Sequence, residues 1–352
     1  MISIVIPAFN ELDCTRQCVS SIVANTDCPY QLVLVDNGST EPVSEFFQSV
    51  PGAIAIRSEV NLGFAGGVNL GMRAASGHML ILNNDTLVPA GWLSRLRDVL
   101  LSAPDIGMIG PMSNYVSGSQ LIPDLSFDSL DAISAYAAAR RESHADAVRD
   151  VARLVGFCLL IRDSVVREVG LFDEEFGPGN FEDDDYCVRV LRAGYRLVVD
   201  EASFVFHYGH RTFRALGLVD AEWEQLLARN AARFGAKWQF NPEDRLDNYR
   251  RSLQLNRAAG ETLQRGDVAG ALREFRDAIR LAPGLARNHN DLAVALWAAG
   301  VQDQAFERVK QALALDPAYP EARENLLDMG RALERETEAI AYLAGLPGDT
   351  PA

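Results

Sequence analysis

Continuous apolar runs alternate with helical stretches through the N-terminal half of the sequence, and this alternation constrains the fold more than any other feature. Runs without polar interruption indicate strands that are buried on both faces of a sheet. Strands are predicted at 2–9, 31–35, 53–57, 78–82, 155–161, 196–199 and 203–206, helices at 13–25, 43–49, 65–75, 165–169 and 186–193, and an inserted helix or loop at 117–150. The sequence therefore predicts an α/β domain with a mostly parallel sheet and flanking helices.

Polar clusters follow three of the predicted strands. They are Asn10-Glu11, Asp36-Asn37 and Asn83-Asn84-Asp85. Ligands of open α/β sheets bind at the carboxyl ends of the strands, so these clusters are expected to share one site. A carboxylate at Asp36 suits a nucleobase NH or a ribose hydroxyl, with a turn or helix cap as the alternative. Oxygen ligands around Asp85 suit part of a divalent-cation site on a diphosphate, with a strand-end turn as the alternative.

Three later segments also carry residue types that can serve in ligand binding or catalysis. The glycine-rich segment Asn61–Asn69 leads into a helix, so it allows close backbone approach to an anion, or it is a simple turn. The acidic run 182–185 precedes another predicted helix. Crowded like charges raise carboxylate pKa values, which suits a general base, although a solvated helix start is the alternative. His207 follows the last strand and can bind a metal, and Arg211 can meet a phosphate.

The C-terminal third shows no strand pattern but contains an internal repeat. A spacing of 34 residues relates Ala271, Ala305 and Ala339, Ala278 and Ala312, and Pro283 and Pro317. This period, with small residues at helix contacts and a proline after the second helix, resembles the tetratricopeptide repeat, with an ordinary helical bundle as the alternative. A degenerate third repeat at 321–343 is expected to cap the stack. The predicted regions are an α/β domain at 1–215, a helical linker at 216–250 and a repeat domain at 251–352.

The charge of the chain restricts its partners. The formal net charge is -15 over 352 residues, which argues against nucleic acid or an anionic membrane surface as a partner. An anionic substrate then needs a local positive group, such as a metal ion or a helix N-terminus. Five cysteines without a C-x-x-C pair favour reduced thiols in the cytoplasm. We expect no signal peptide and no transmembrane helix, with a peripheral position at the inner membrane face as a second option.

The order of the motifs resembles family 2 glycosyltransferases with the GT-A fold, in a branch of bacterial rhamnosyltransferase-like members. The matching segments are Pro7–Glu11, Val35–Ser39, Asn61–Asn69, Asn83–Asp85, Phe181–Arg189 and His207. The resemblance covers about residues 1–213. It implies an inverting transfer of a sugar from a UDP- or dTDP-linked donor to a saccharide, peptide or protein acceptor.

The resemblance also implies roles for single residues. Asp183 matches the catalytic base, and Asp85 and His207 match ligands of Mg²⁺ or Mn²⁺. The positions matched to the nucleotide sugar are Pro7, Ala8, Phe9, Asn10, Glu11, Asp36, Asn61, Gly67, Asn69, Asn83 and Asn84. Gly156, Glu182 and Trp92 are expected on the acceptor side. Asn83 stands where the family's D-x-D motif has its first carboxylate, which leaves Asp85 as the firm metal ligand.

Two other functions compete with this hypothesis. A scaffold protein with a vestigial transferase domain would use the repeats to recruit partners, and donor hydrolysis distinguishes it from an enzyme. A nucleotidyltransferase usually needs a glycine-rich basic loop after the first strand, and 7–10 lacks one. The repeats are expected to support a homodimer, to buttress the catalytic domain or to hold a peptide acceptor.

Overall fold

The chain divides into two units, Met1–Glu243 and Asp244–Ala352, which are called the N-terminal and C-terminal units below. The computed structural model describes residues 1–127, 129–209, 221–238 and 242–346, with backbone alone over 242–247. The division falls inside the stretch predicted as a linker, 216–250. Arg211 lies outside the described residues, so its predicted phosphate contact stays a prediction.

Strands and helices alternate along the N-terminal unit. The described strands are β1 Ile2–Ala8, β2 Tyr30–Asn37, β3 Ile54–Ser58, β4 His78–Leu82, β5 Thr86–Leu87, β6 Ile106–Met112, β7 Val148–Val151, β8 Cys158–Ile161, β9 Arg196–Phe204 and β10 Phe206–His207. The described helices of this unit are α1 Leu12–Asn25, α2 Val43–Ser49, α3 Gly63–Ala74, α4 Trp92–Ser102, α5 Leu130–Ser143, α6 Asp163–Val169, α7 Glu182–Arg192 and α8 Ala221–Trp238.

Eight of the described strands form one sheet in the order β3-β2-β1-β4-β8-β6-β9-β7. Strand β1 is parallel to β2 and β4, β2 is parallel to β3, and β6 is parallel to β9. Strand β8 runs antiparallel between β4 and β6, and β7 is an antiparallel edge strand. The predicted α/β class and the mostly parallel sheet of a GT-A fold are confirmed. A separate antiparallel pair of β5 and β10 places Thr86 opposite His207.

Apolar side chains of the central strands form the core of the sheet domain. Ile4, Ile6, Leu34, Leu80 and Leu160 are buried in one hydrophobic cluster that helices α1, α2 and α4 cover. Continuous burial along β1 explains why its sequence shows no alternation of apolar and polar residues. The rigid core fixes the carboxyl ends of β1, β2 and β4 side by side.

Three of the described strands were not predicted from the sequence: β5, β6 and β7. Strand β6 contains Gly107, Gly110 and Pro111, which interrupt its apolar run. An added Cβ at Gly107 would lie 2.5 Å from Cβ of Tyr195, and one at Gly110 would lie 2.5 Å from Nε2 of Gln120, so tight packing accounts for both glycines. The region 117–150 was expected to hold an inserted helix or loop. It contains α5 as expected, and it also contains the start of strand β7.

The C-terminal unit is helical throughout its described residues. Its helices are α9 Pro242–Gln264, α10 Val268–Leu281, α11 Ala286–Ala298, α12 Gln302–Leu315, α13 Pro320–Ala332 and α14 Glu336–Ala344. The alanines that share the 34-residue spacing, Ala271, Ala305 and Ala339, are all fully buried in one core. The helical class is confirmed, and the tetratricopeptide assignment stays a prediction. In the parts of the chain that the structure describes, no helix is both long and apolar enough to cross a membrane.

Candidate active site

A cavity of about 1050 Å³ lies at the carboxyl edge of the sheet in the N-terminal unit. Strand ends, the turn before α3, the start of α7 and one face of α8 all contribute to its walls. The predicted site residues that line it are Pro7, Ala8, Phe9, Asn61, Asn83, Asn84, Asp85, Gly156, Glu182, Asp183 and His207. The fold therefore brings the predicted base, the predicted metal ligands and part of the predicted nucleotide site into one cavity.

The Asp183 carboxylate is held by backbone N–H groups at the wall of this cavity. Its Oδ2 accepts a hydrogen bond of 2.8 Å from the N–H of Gly156, and its Oδ1 accepts one of 2.9 Å from the N–H of Asp184. Asp183 is only 6 % exposed. A carboxylate oxygen has two lone pairs, so each oxygen keeps one for another donor. This arrangement fixes the carboxylate in orientation and leaves it able to accept a proton from a bound hydroxyl.

Position 156 suits a glycine because an added side chain would crowd its neighbours. A Cβ there would lie 3.3 Å from Cε1 of Phe64 and 3.5 Å from Cβ of Asp183. Both neighbours line the cavity. The glycine therefore lets backbone N–H and aromatic ring approach the carboxylate together.

The two neighbours of Asp183 are acidic and buried. Burial, and then the charge of Asp183, raises the pKa of Asp184 to about 7, although Arg153 forms an ion pair with it. Burial and the same charge also raise the pKa of Glu182 well above its usual value. Oε2 of Glu182 is buried and has no hydrogen-bond partner within the described residues. Proton uptake by these neighbours lowers the concentration of negative charge around Asp183.

Asp85 and His207 face each other across the cavity edge. Nε2 of His207 lies 3.0 Å from Oδ1 of Asp85, and Nδ1 lies 2.7 Å from the carbonyl oxygen of Tyr115. A carbonyl oxygen only accepts, so Nδ1 carries a proton, and a neutral imidazole would then point the lone pair of Nε2 at a carboxylate. Burial alone lowers the pKa of His207, but the Asp85 carboxylate outweighs it and the pKa is raised.

This pair fits a divalent cation. Two acceptors that face each other need a positive species between or beside them, and either a proton on Nε2 or a metal ion satisfies that need. Carboxylate oxygen and imidazole nitrogen are ordinary ligands of Mn²⁺ and its relatives. Among the described residues, no group of three or more His, Cys, Asp or Glu side chains is gathered as a complete metal site. The protein would therefore supply part of the coordination, and a substrate diphosphate would supply more.

The turn before α3 is tied to the end of β2 by amide side chains. Nδ2 of Asn37 donates to the carbonyl oxygen of Gly63 at 2.9 Å and to Oδ1 of Asn61 at 3.2 Å. Oδ1 of Asn37 accepts from the N–H of Leu62 at 3.0 Å. Asn37 belongs to one of the polar clusters expected at this edge of the sheet, although the sequence assigned it no individual role. Its contacts hold the turn, including Asn61, at the cavity wall.

Five predicted nucleotide-site residues support the cavity from behind instead of lining it. Asp36 is fully buried, accepts from the N–H of Ser39 at 2.9 Å and forms an ion pair with Arg57. Oδ1 of Asn10 accepts from the N–H of Thr40 at 2.9 Å. The other three are Glu11, Gly67 and Asn69. The position of Asp36 thus matches its alternative use in a turn, and Asn10 likewise holds a neighbouring turn.

Asn69 and Gly67 have clear packing reasons. Asn69 donates to the carbonyl oxygen of Phe172 at 2.9 Å and accepts from its N–H at 2.9 Å, which anchors the segment that leads towards α7. A Cβ at Gly67 would lie 3.0 Å from Nδ2 of Asn37 and 3.2 Å from Cβ of Pro7. Both residues therefore shape the site through their neighbours.

Trp92 does not lie at the cavity, where the acceptor side was expected. It is 1 % exposed, packs in the core beside the sheet, and donates from Nε1 to Oγ1 of Thr26 at 3.1 Å. A large aromatic side chain at the first turn of α4 is a core residue because the sheet face beneath it is apolar.

Helix α8 forms a wall that the sequence prediction assigned to a linker. Trp223, Leu227, Ala228 and Ala231 line the cavity. Their spacing of four, one and three residues places them on one helical face, which the spacing alone could have indicated.

Sheet order, with β8 antiparallel between β4 and β6, and the flanking helices define the GT-A fold. The crystal structure of GalNAc-T7 with UDP, GalNAc and Mn²⁺ has this fold, with a TM-score of 0.52 and 16 % identity. The alignment covers 72 % of this chain and 51 % of that chain, so this chain matches about half of GalNAc-T7.

Sequence comparisons give the family. The model described as Glycosyl transferase family 2 matches residues 3–170. An uncharacterized protein of Mycobacterium tuberculosis is 31 % identical over 216 residues, which is 59 % of this chain and 74 % of that protein. The N-acetylglucosaminyl-diphospho-decaprenol L-rhamnosyltransferase of the same organism is 29 % identical over 227 residues, 56 % of this chain and 72 % of that protein. This chain belongs to glycosyl transferase family 2 and is a glycosyltransferase.

Proposed function

We propose that the enzyme transfers a sugar with inversion from a UDP- or dTDP-linked donor to a hydroxyl of a saccharide, peptide or protein acceptor. Asp183 is the general base, and Asp85 with His207 binds Mn²⁺ or Mg²⁺. The observation that carries this proposal is the buried, backbone-held carboxylate of Asp183 in the same cavity as the Asp85–His207 pair.

The proposed reaction is one displacement. Asp183 takes the proton of the acceptor hydroxyl while that oxygen forms a bond to the anomeric carbon. The bond from the anomeric carbon to the phosphate oxygen breaks, and its electron pair leaves with the nucleoside diphosphate. A bound divalent cation would neutralise charge on the diphosphate. Among the described residues that line the cavity, Arg153 is the arginine, and it is already paired with Asp184.

Glu182 and Gly156 are proposed on the acceptor side of this reaction. Both line the cavity beside Asp183. The unpartnered Oε2 of Glu182 can bind a second hydroxyl of the substrate.

A donor panel tests the proposal. Purified protein is mixed with Mn²⁺ and each of a set of UDP-, dTDP- and GDP-sugars, and thermal unfolding and nucleoside diphosphate release are measured. We expect one nucleotide class to raise the melting temperature, because a ligand that binds the native state stabilises it. Slow donor hydrolysis should accompany that binding. Binding without any release, with or without candidate acceptors, would favour the scaffold function instead.

Acceptor class and location are proposed together. The rhamnosyltransferase relative is named for a decaprenol-linked acceptor. An acceptor of that kind would bring this enzyme to the inner membrane face, whereas a free saccharide or peptide would leave it in the cytoplasm. Sedimentation with vesicles that do or do not contain a polyprenyl diphosphate distinguishes the two.

We propose that the C-terminal unit forms a homodimer contact or buttresses the catalytic domain. We rank both roles above the docking of a peptide acceptor. Two or three predicted repeats offer little groove for an extended peptide. Light scattering of the full chain measures its mass directly. A monomer at micromolar concentration would remove the dimer from consideration.

A further inference from the structure

The turn that leads into α7 has an unusual backbone. Gly177, Gly179, Asn180 and Phe181 all have positive φ angles, of 66°, 146°, 72° and 75°. Glycine adopts such angles freely, but an aromatic residue does so only when its surroundings hold it there. Phe181 is the residue directly before α7, and its carbonyl oxygen accepts the N–H of Asp185 at 2.9 Å. The turn 176–181 therefore sets where α7 begins.

One side chain of helix α8 holds this turn. Nδ2 of Asn230 donates to the carbonyl oxygens of Phe176 at 2.8 Å, Gly179 at 2.9 Å and Asn180 at 3.0 Å. Asn230 is fully buried. An amide NH₂ group has two hydrogens, so the three carbonyls share them. Two of the three carbonyls belong to residues with positive φ angles, Gly179 and Asn180, and all three converge on the one amide.

Further contacts join the same two elements. The ring of Phe181 packs against that of Phe234 on α8, with centroids 5.8 Å apart. Nε1 of Trp238 and Nζ of Lys237 contact Oδ1 of Asp185 at 3.0 and 2.7 Å. The N–H of Phe64 donates to the carbonyl oxygen of Pro178 at 3.2 Å, which ties the turn to the start of α3.

Asp183 is two residues beyond the turn. Its hydrogen bond to the N–H of Gly156 exists only while α7 starts at its observed place. Without the amide of Asn230, three inward carbonyls would lack their donor, and the turn would relax by rotating them towards other partners. A displacement of about 1 Å in a reacting group is enough to lower a rate by about 10²-fold.

We propose that Asn230 is a positioning residue that fixes the turn 176–181 and, through it, the carboxylate of Asp183. This inference rests on the proposed role of Asp183 as the base. Asn230 does not itself line the cavity, so it acts on catalysis through the turn and Asp183.

The test compares Asn230→Asp and Asn230→Ala with Arg233→Ala in the full chain. Asp has the shape of Asn but, when ionised, cannot donate. Arg233 is on the same helix and forms an ion pair with the exposed Glu175, so its removal leaves the turn intact. For both Asn230 variants we expect kcat to fall by about 10²-fold with the KM for the donor within about twofold. Arg233→Ala should keep wild-type kcat.

Two readouts separate positioning from general damage. Hydrogen exchange of the amides in 176–186 should become faster in both Asn230 variants, while exchange in β1 and β2 stays as in the wild type. In Asn230→Asp, the kcat relative to wild type should rise as pH falls, because a protonated carboxyl regains one donor. Unchanged exchange over 176–186 would overturn the proposal, and so would an equal loss of protection in β1 and β2.

Exchange needs no substrate, so it also separates this proposal from the proposed function. If no donor is turned over by the wild type but exchange over 176–186 responds to Asn230, the proposed reaction fails and the structural link stands. If the wild type is active and both Asn230 variants keep its kcat, the positioning role fails and the proposed reaction stands.

Discussion

Acidic residues are placed in opposite ways in the two units. In the N-terminal unit, Glu182, Asp183 and Asp184 are consecutive and each is at most 6 % exposed. In the C-terminal unit, Arg335 on the surface contacts Asp303, Glu307 and Glu338 at 3.4, 3.0 and 2.8 Å. Surface pairs of the second kind add little stability and are screened by salt. Buried like charges of the first kind cost stability. Their concentration at one cavity marks the region where we propose that catalysis takes place.

The largest expected effect is at the base. Asp183→Asn keeps the shape of the side chain but removes the proton acceptor, so turnover should fall by about 10²-fold or more while donor binding survives. Initial rates and calorimetric titration with the donor nucleotide measure the two. Asp98→Asn, at an exposed position on α4, is the control and should keep wild-type rates. Near-normal turnover in Asp183→Asn would show that the buried acidic run is structural.

Removal of the metal should have the next largest effect. Excess chelator should lower the rate on the order of 10²-fold, with recovery on addition of Mn²⁺ or Mg²⁺. Asp85→Ala and His207→Ala should each weaken binding of the nucleoside diphosphate when Mn²⁺ is present. His144→Ala, at the end of α5, is the matched histidine control. Full activity in excess chelator would mean that Asn83, where the family has a carboxylate, marks a metal-independent enzyme.

Two glycine-to-alanine substitutions, one in each unit, allow a direct comparison of the units. Gly156→Ala places a methyl group 3.3 Å from the ring of Phe64, so about 1 to 3 kcal/mol of stability should be lost, along with much of the turnover. Gly284, in the C-terminal unit, has no atom within 4 Å of an added Cβ. Gly284→Ala should leave activity unchanged and add about 0.4 to 1 kcal/mol. Urea unfolding measures both, and equal behaviour of the two variants would contradict the packing argument.

The smallest expected effects are on the pH dependence of stability, and they have opposite signs in the two units. Burial raises the pKa of Asp184 to about 7, so its contribution to stability is lost as pH rises from about 4 through 7. Hydrogen bonding to Arg335 lowers the pKa of Glu338, so its contribution is present at neutral pH and lost as pH falls through the acid range. Relative to wild type, Asp184→Asn should become more stable between pH 5 and pH 8. The stability that Glu338→Gln loses relative to wild type should be larger at pH 7 than at pH 4. Chemical denaturation at these pH values measures the differences.

Much of the fold could be predicted from the sequence because burial on both faces leaves continuous apolar runs. This holds for β1, β2 and β4, and for the position of Asp85 at a strand end. Asp183 was assigned to the same site from the motif order that resembles the family. The prediction fails for β6, whose apolar run is interrupted by Gly107 and Gly110. Neighbouring side chains occupy the space that a Cβ would need at these two positions. The prediction also fails for Trp92 and for α8, because the sequence does not show which tertiary surface a helical face covers.

The site divides in the same way. Residue type and motif order identify what Asp183 and His207 could do, since a carboxylate can accept a proton and an imidazole can bind a metal in many folds. They do not distinguish a residue that lines a cavity from one that supports it. Asp36 pairs with Arg57 and Asn69 with the backbone of Phe172, and both partners are distant in sequence.

The position of β8 has a consequence for synthesis of the chain on the ribosome. Strand β8 fills the place between β4 and β6, so β4 keeps one bare edge until residues near 158 have been made. At about 5 to 20 residues per second, that edge waits roughly 4 to 15 s after β4 is complete. During this interval the nascent sheet carries an unpaired apolar strand, Met79 to Leu82, of the kind that pairs with other chains. The nascent chain thus exposes an apolar strand edge before the residues of α7 have been made.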